Sequence, residues 1–322
     1  MANDFILEIK DLTTCFYTEN GLLPAVNGVN LKLRKKETLC IVGESGCGKS
    51  VTSLSVMQLH DKKTVRYTGG EILFHGEDLL KKTEKEMQKI RGDRIAMIFQ
   101  EPMTALNPVY TIGKQITEAI HMHRQVSKKE AMAQALELLN QVGIPDAPKR
   151  LKQYPHQLSG GLRQRIAIAM ALACQPEILI ADEPTTALDV TTQAQILRLL
   201  NELKESREMS LILVTHDLGV VAQMADYVAV MYGGRVVELA PVKELYSNPI
   251  HPYTKGLMDC VIKMDSEKGS LKTIEGMVPG LAERHKGCVF ANRCPLATEK
   301  CREKEPVWTE NGSHGAACWE RR

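Results

Sequence analysis

Short runs with the character of buried strands recur along this chain, and helical periodicity fills several of the gaps between them. Residues 5–10 (FILEIK) alternate apolar and polar, as a half-buried strand does. Residues 37–43 (ETLCIVG) form an apolar run ending in glycine, as a buried strand entering a loop would. Near-continuous apolar runs return at 93–99, 177–182, 209–216 and 227–232. Helical spacing covers 126–142, 160–174 and 191–206. Strands that are apolar on both faces and alternate with helices predict an α/β fold with a mainly parallel sheet. From about Glu101 to Leu158 the period is helical with no convincing strand, which reads as a helical insertion. The pattern changes again near Asn248 to Pro252. Beyond it Gly, Pro, Lys and Cys dominate with little periodicity, so an appended, loop-rich unit is expected there.

Composition narrows the classes of function. At 322 residues and roughly 150 residues per domain, about two domains are expected. Lys and Arg total 41 against 39 Asp and Glu, and the resulting charge of +2 is too small for a chain that coats nucleic acid. Aromatic residues are 5% of the chain, which argues against a base-stacking platform. No apolar run approaches the roughly 20 residues that span a bilayer, and the first residues lack the basic-then-apolar pattern of a secretory signal. A soluble, cytosolic chain is expected. Of the nine cysteines, Cys15, Cys40, Cys47, Cys174 and Cys260 are scattered and read as small packing residues. Cys288, Cys294, Cys301 and Cys318 are too dense for that explanation.

The strongest chemical signal is Gly43-Glu44-Ser45-Gly46-Cys47-Gly48-Lys49-Ser50, which fits G-x-x-x-x-G-K-[ST] directly after a strand. Glycines let successive backbone N–H groups point into one concavity, and the following helix N-terminus, with Val51 inside it, favours anions. Lys49 is expected to reach the β- and γ-phosphates of a nucleotide, and Ser50 to ligate Mg²⁺. Cys47 reads as a tolerated small residue. Downstream, Leu179-Ile180-Ala181-Asp182-Glu183-Pro184 is an apolar strand ending in two carboxylates. Alone, such a pair also suits a helix N-cap. Beside an upstream phosphate loop, Asp182 suits a Mg²⁺ shell and Glu183 suits a base for the attacking water.

Leu158-Ser159-Gly160-Gly161-Leu162-Arg163-Gln164-Arg165 resembles the signature sequence of the ATP-binding cassette (ABC) family, and the remaining motifs fall in that family's order across about residues 4–250. The resemblance implies an ABC-type P-loop ATPase: a RecA-like core, an antiparallel β part and a helical subdomain at about 101–167. It implies ATP and Mg²⁺ as cofactors and a dimer of cassettes in which Ser159, Gly160 and Gly161 cap the ATP held by the other cassette. Gln100 matches the glutamine that senses Mg²⁺ and the attacking water. Asp189 matches the loop that crosses the dimer interface, and His216 the histidine that contacts the γ-phosphate. Phe16, with Tyr17 as its rival, stands where an adenine-stacking aromatic is expected.

Within that family, residues 100–108 (QEPMTALNP) and 251–257 (HPYTKGL) resemble the dipeptide, oligopeptide and nickel importer ATPases. The resemblance implies an ATPase domain at 1–246, a cysteine-bearing C-terminal extension at 247–322 and a location on the cytoplasmic face of the membrane. Its partners would be a second homologous cassette, so that a heterodimer is expected, two membrane permeases and, through the complex, an extracytoplasmic peptide-binding protein. Nucleic acid is not expected. A nickel or metallophore importer is the nearest rival, and a soluble ABC ATPase acting on ribosomes is the rival of a different class. The extension's cysteines are spaced C-x5-C-x6-C-x16-C. Zinc favours C-x2–4-C pairs, absent here. Four thiolates suit a [4Fe–4S] cluster, although the spacing is not a common ferredoxin run, and the resemblance implies such a cluster; zinc, free thiols and disulfides remain open. Its expected role is structural, since nothing in the sequence links it to phosphate chemistry.

Overall fold

The structure, a computed structural model, describes residues 4–101, 106–186, 188–260, 274–283 and 286–320. The chain divides into two compact units, one of Met1–Leu80 with Val214–Arg322 and one of Lys81–Leu213.

In the first unit, β1 (Phe5–Thr18) and β2 (Gly21–Arg34) form an antiparallel hairpin, joined on the other side of β1 by β4 (Val65–Phe74) and then the short β5 (Glu77–Asp78). The register of β1 slips between Ile9 and Leu12. Asp11 has a φ of 47° there, and Asn30 closes the bulge by donating to the Asp11 carboxylate (2.8 Å) and accepting from its N–H (3.0 Å).

A second sheet in this unit runs β11-β12-β10-β9-β3. Its inner strands, β3 (Thr38–Val42) and β9 (Tyr227–Tyr232), are parallel, and every residue of β3 is buried. That double-sided burial is why both strands read as unbroken apolar runs. Beyond β9, β10 (Arg235–Pro241), β12 (His314–Ala316) and β11 (Thr309–Asn311) continue antiparallel. A buried carboxylate ties this edge together. Glu238, fully buried, accepts from the ring N–H of His314 (2.7 Å) and from the backbone N–H groups of Ile250 and His251 (2.8 Å each). Burial depresses the His251 imidazole to about pH 3, so its Nδ1 stays free to accept from the Tyr253 N–H (3.1 Å).

In the second unit, β6 (Ile95–Ile98) and β7 (Ile178–Asp182) are parallel, with β8 (Ser210–Thr215) next to β7; the last two residues of β8 fall in the first unit. The expected helical stretch is present as Ile112–His123, Lys128–Gln141 and Ala147–Arg150. Ile112, Ile116 and Ile120 of the first helix, and Ala131, Ala135, Leu138 and Leu139 of the second, are buried at three- and four-residue spacing. The second starts at a reciprocal cap, Ser127 accepting from the Glu130 N–H while Glu130 accepts from that of Ser127. Among the described residues, no helix is long and apolar enough to cross a membrane.

Candidate active site

The phosphate loop leaves β3 at Gly43 and ends where helix α1 (Lys49–Val56) begins. Gly43 has a φ of +153°, and a Cβ there would lie 2.2 Å from the backbone oxygen of Met231 and 2.8 Å from the Cys47 sulfur. Only glycine lets the strand turn this close to β9. Gly46 and Gly48 also have positive φ, which bends the loop back on itself. Lys49 is buried, and its ammonium donates to the backbone oxygens of Gly43 (2.7 Å) and Glu44 (3.1 Å), spanning the loop's mouth. Cys47 is fully buried, and burial pushes its thiol up despite Lys49 nearby, so it packs as a neutral small side chain. Ser50 and Val51 form the first turn of the helix behind it.

Two aromatic residues lie near the C-terminal end of β1 in the same unit. Phe16 is half-buried and meets His60 edge-on at 5.9 Å, while Tyr17 is 53% exposed. His216 is exposed directly after β8, and Asp217 behind it caps the helix Leu218–Met224 by accepting from the Gly219 N–H (2.8 Å).

The second unit holds the carboxylates. Asp182 ends β7 and is 4% exposed. Glu183 follows with a φ of 46°, a left-handed conformation costly for a side-chain-bearing residue and a mark of functional turns. Its Oε2 accepts from the Gln100 amide (3.3 Å) and the Thr186 hydroxyl (3.0 Å), so the structure brings Gln100 and Glu183 together. The signature stretch opens the helix Gly160–Ala171, with Ser159 accepting from the Leu162 N–H (3.4 Å). Asp189 caps the next helix, Val190–Arg207. It accepts from the Thr192 N–H (2.9 Å) and hydroxyl (2.7 Å), and these bonds hold its carboxyl below the usual range. The two helix starts are neighbours: a Cβ on Gly161 would lie 2.9 Å from the Thr192 methyl.

Sequence reasoning missed the residues that hold the phosphate loop from the far end of the chain. The Glu44 N–H donates to the Tyr253 hydroxyl (2.9 Å), and the Glu44 carboxylate accepts from Arg293 (2.8 Å). Tyr253 stacks edge-on with Tyr232, and both meet Phe290, all three buried. Arg293 directly precedes Cys294, so the cysteine-bearing stretch touches the loop 43–50, a contact the sequence reading did not anticipate. No local pattern announces a contact between positions 44 and 293.

The cysteine quartet is gathered without forming a ready ligand set. Cys288 and Cys301 are buried, and Cys294 and Cys318 half-buried. Burial, with the other three cysteines adding to it, pushes Cys288 up to about 11. Yet no three His, Cys, Asp or Glu side chains among the described residues are arranged to hold a metal ion. The donor chemistry fits an iron–sulfur group; the expected four-sulfur cage around Cys288, Cys294, Cys301 and Cys318 is not formed by these side-chain positions.

Comparison with known proteins adds to this geometry. The ABC transporter family profile matches residues 26–186, and that of the oligopeptide/dipeptide transporter C-terminal region matches residues 237–301. The chain is 52% identical to the dipeptide transport ATP-binding protein DppD of Bacillus subtilis, covering 98% of this chain and 94% of that one. It is 53% identical to a Sinorhizobium fredii protein named "Probable peptide ABC transporter ATP-binding protein y4tR", covering 98% and 95%. Among solved structures, the dimeric ATP-binding cassette MJ0796, in a post-hydrolysis state with ADP and Pi, is 30% identical, with a TM-score of 0.66 over 73% of this chain and 98% of that one.

Proposed function

The chain belongs to the ABC transporter family, and on that footing we propose that it is the ATP-hydrolysing subunit of a bacterial dipeptide and oligopeptide importer. The observation that carries the peptide assignment is the match of residues 237–301 to the oligopeptide/dipeptide transporter C-terminal region. In this reading residues 1–246 are the ATPase domain, with a helical subdomain at about 101–167, and 247–322 are the extension.

The phosphates of ATP lie in the loop 43–50, where Lys49 exchanges its carbonyl partners for β- and γ-phosphate oxygens. Phe16, or the more exposed Tyr17, stacks on the adenine. Ser50, Asp182 and Gln100 would hold Mg²⁺, which supplies charge neutralisation to the phosphates; the burial of Asp182 at a strand end supports that role. Glu183 takes a proton from water as the water oxygen bonds to the γ-phosphorus and the bond to ADP breaks. Gln100 orients that water, and His216 steadies the γ-phosphate. Ser159, Gly160 and Gly161 cap the ATP of a partner cassette, and Asp189, held as a helix cap, stands at the interface.

The partners are a second homologous cassette, two membrane permeases and an extracytoplasmic peptide-binding protein, with this chain on the cytoplasmic face. The test is the complex reconstituted in vesicles. Dipeptides or oligopeptides with the binding protein should raise ATP hydrolysis and accumulate inside. Stimulation by nickel or a nickel chelate and by no peptide would replace this reading with the metal-importer one.

The cysteines Cys288, Cys294, Cys301 and Cys318 would hold a [4Fe–4S] cluster, which supplies a covalent pin across the extension. The four-thiol donor set in the C-terminal stretch supports this, and loading the cluster would require those side chains to draw together. Anaerobically purified protein should contain iron and acid-labile sulfide in equal amounts; zinc in their place would overturn the assignment.

A further inference from the structure

Every polar group of Glu44, a residue of the phosphate loop itself, is committed. Its backbone oxygen accepts from Lys49 (3.1 Å), its N–H donates to Tyr253 (2.9 Å) and its carboxylate accepts from Arg293 (2.8 Å). Two of those three partners come from the C-terminal extension. The sequence requirement at this loop position is loose, and an acid is a poor choice beside bound phosphates. Like charges repel, and more strongly in a half-buried loop than in water.

Arg293 is built to remove that liability. Its side chain is 7% exposed, against 29% for Glu44. Before it meets Glu44 the guanidinium is already fixed, with Nε donating to the backbone oxygen of Glu275 (2.8 Å) and Nη2 to that of Ile274 (2.9 Å). Nη1 reaches both the Glu44 carboxylate and the Tyr232 hydroxyl (3.3 Å). Its backbone belongs to a tight loop, with the Ala291 N–H donating to the Cys288 oxygen and the Arg293 N–H to the Phe290 oxygen (3.0 Å each). A guanidinium held on its other sides loses little freedom when it pairs, which favours a fixed partner over a fluctuating one.

We propose that Arg293 is a positioning residue for nucleotide binding: from the extension's cysteine loop it neutralises and anchors Glu44, keeping that carboxylate off the triphosphate, while Tyr253 fixes the loop's backbone beside it. The cysteine loop thereby sets the affinity of the phosphate loop for ATP. This rests on the ATPase reading above and adds to it a reason for the extension to lie against the loop.

The test measures ATP affinity of the full chain by titration, with the melting temperature recorded for each variant. Arg293→Ala should raise the Kd for ATP about 5–20-fold, the scale for leaving one member of a close charge pair alone, and Arg293→Lys should recover part of the loss. In a Glu44→Gln background, Arg293→Ala should change Kd less than about twofold, since the charge it neutralises is gone. A merely structural arginine would weaken binding equally in both backgrounds, and that result, or unchanged affinity of Arg293→Ala, overturns the proposal. Should Arg293→Ala not fold, Tyr253→Phe carries the test: it keeps the ring among Tyr232 and Phe290 and should raise Kd about threefold. Unchanged affinity there overturns the proposal too. Failure of the unaltered chain to bind ATP would instead overturn the ATPase reading.

Discussion

Glu183→Gln is expected to lower ATP turnover about 10²–10⁴-fold while nucleotide binding stays close to normal. The amide keeps the size of the side chain and can still bond Thr186 and Gln100, so the turn after β7 should hold. It cannot take a proton from water, and that loss corresponds to about 3–5 kcal/mol of barrier. The left-handed backbone at Glu183 sharpens the expectation. A strained residue placed directly after a strand of buried apolar side chains presents its carboxylate at a fixed place, as a general base requires. Phosphate release by the reconstituted complex, measured beside ATP titration, checks it. Normal turnover would remove Glu183 from the mechanism.

The second large effect is Gly43→Ala. The new methyl would sit 2.2 Å from the Met231 backbone oxygen, and β9 cannot retreat without leaving its parallel partner β3. The loop must therefore shift, carrying the Gly43 oxygen away from Lys49. We expect ATP affinity to fall at least about 10²-fold and stability to fall by about 2–4 kcal/mol. Gly46→Ala is the internal comparison, because a Cβ there meets nothing within 4 Å and only the positive φ opposes it, at about 1–2 kcal/mol. Denaturant midpoints and ATP titration of the two variants check the ordering; equal effects would show that conformational strain, and not the approach to β9, governs this loop.

What the sequence made legible was contiguous. The phosphate loop occupies eight successive residues, and strands β3, β7, β8 and β9 stand out because burial on both faces leaves no polar interruptions. The signature serine and Asp189 are helix caps, whose chemistry acts within three residues. That the first 50 residues form strands was legible too, and β1 and β2 lie there, but β4 carries no clean alternation, with Gly69 and Gly70 in its middle opposite the irregular register around Asp11 of β1. The hairpin Thr309–Asn311 and His314–Ala316 is too short to carry a period. Arg293 reads as an ordinary surface charge until folding lays it beside Glu44. The cysteine spacing identified four thiols that do come near one another, but ligand geometry belongs to a bound group and is not written in the intervals between residues.

The buried Glu238 has a consequence for how the chain acquires its structure during synthesis. Strand β10 can pair with β9 as soon as residue 241 is available, yet its other edge is covered only when residues 314–316 arrive. Until then Glu238 lacks His314, and a row of unpaired backbone groups faces outward on a strand whose buried residues include Val237 and Ala240. Such an open edge invites pairing with a neighbouring nascent chain. In the interval between those two events β10 is open to such misassembly, and a translational pause placed inside it would lengthen that exposure.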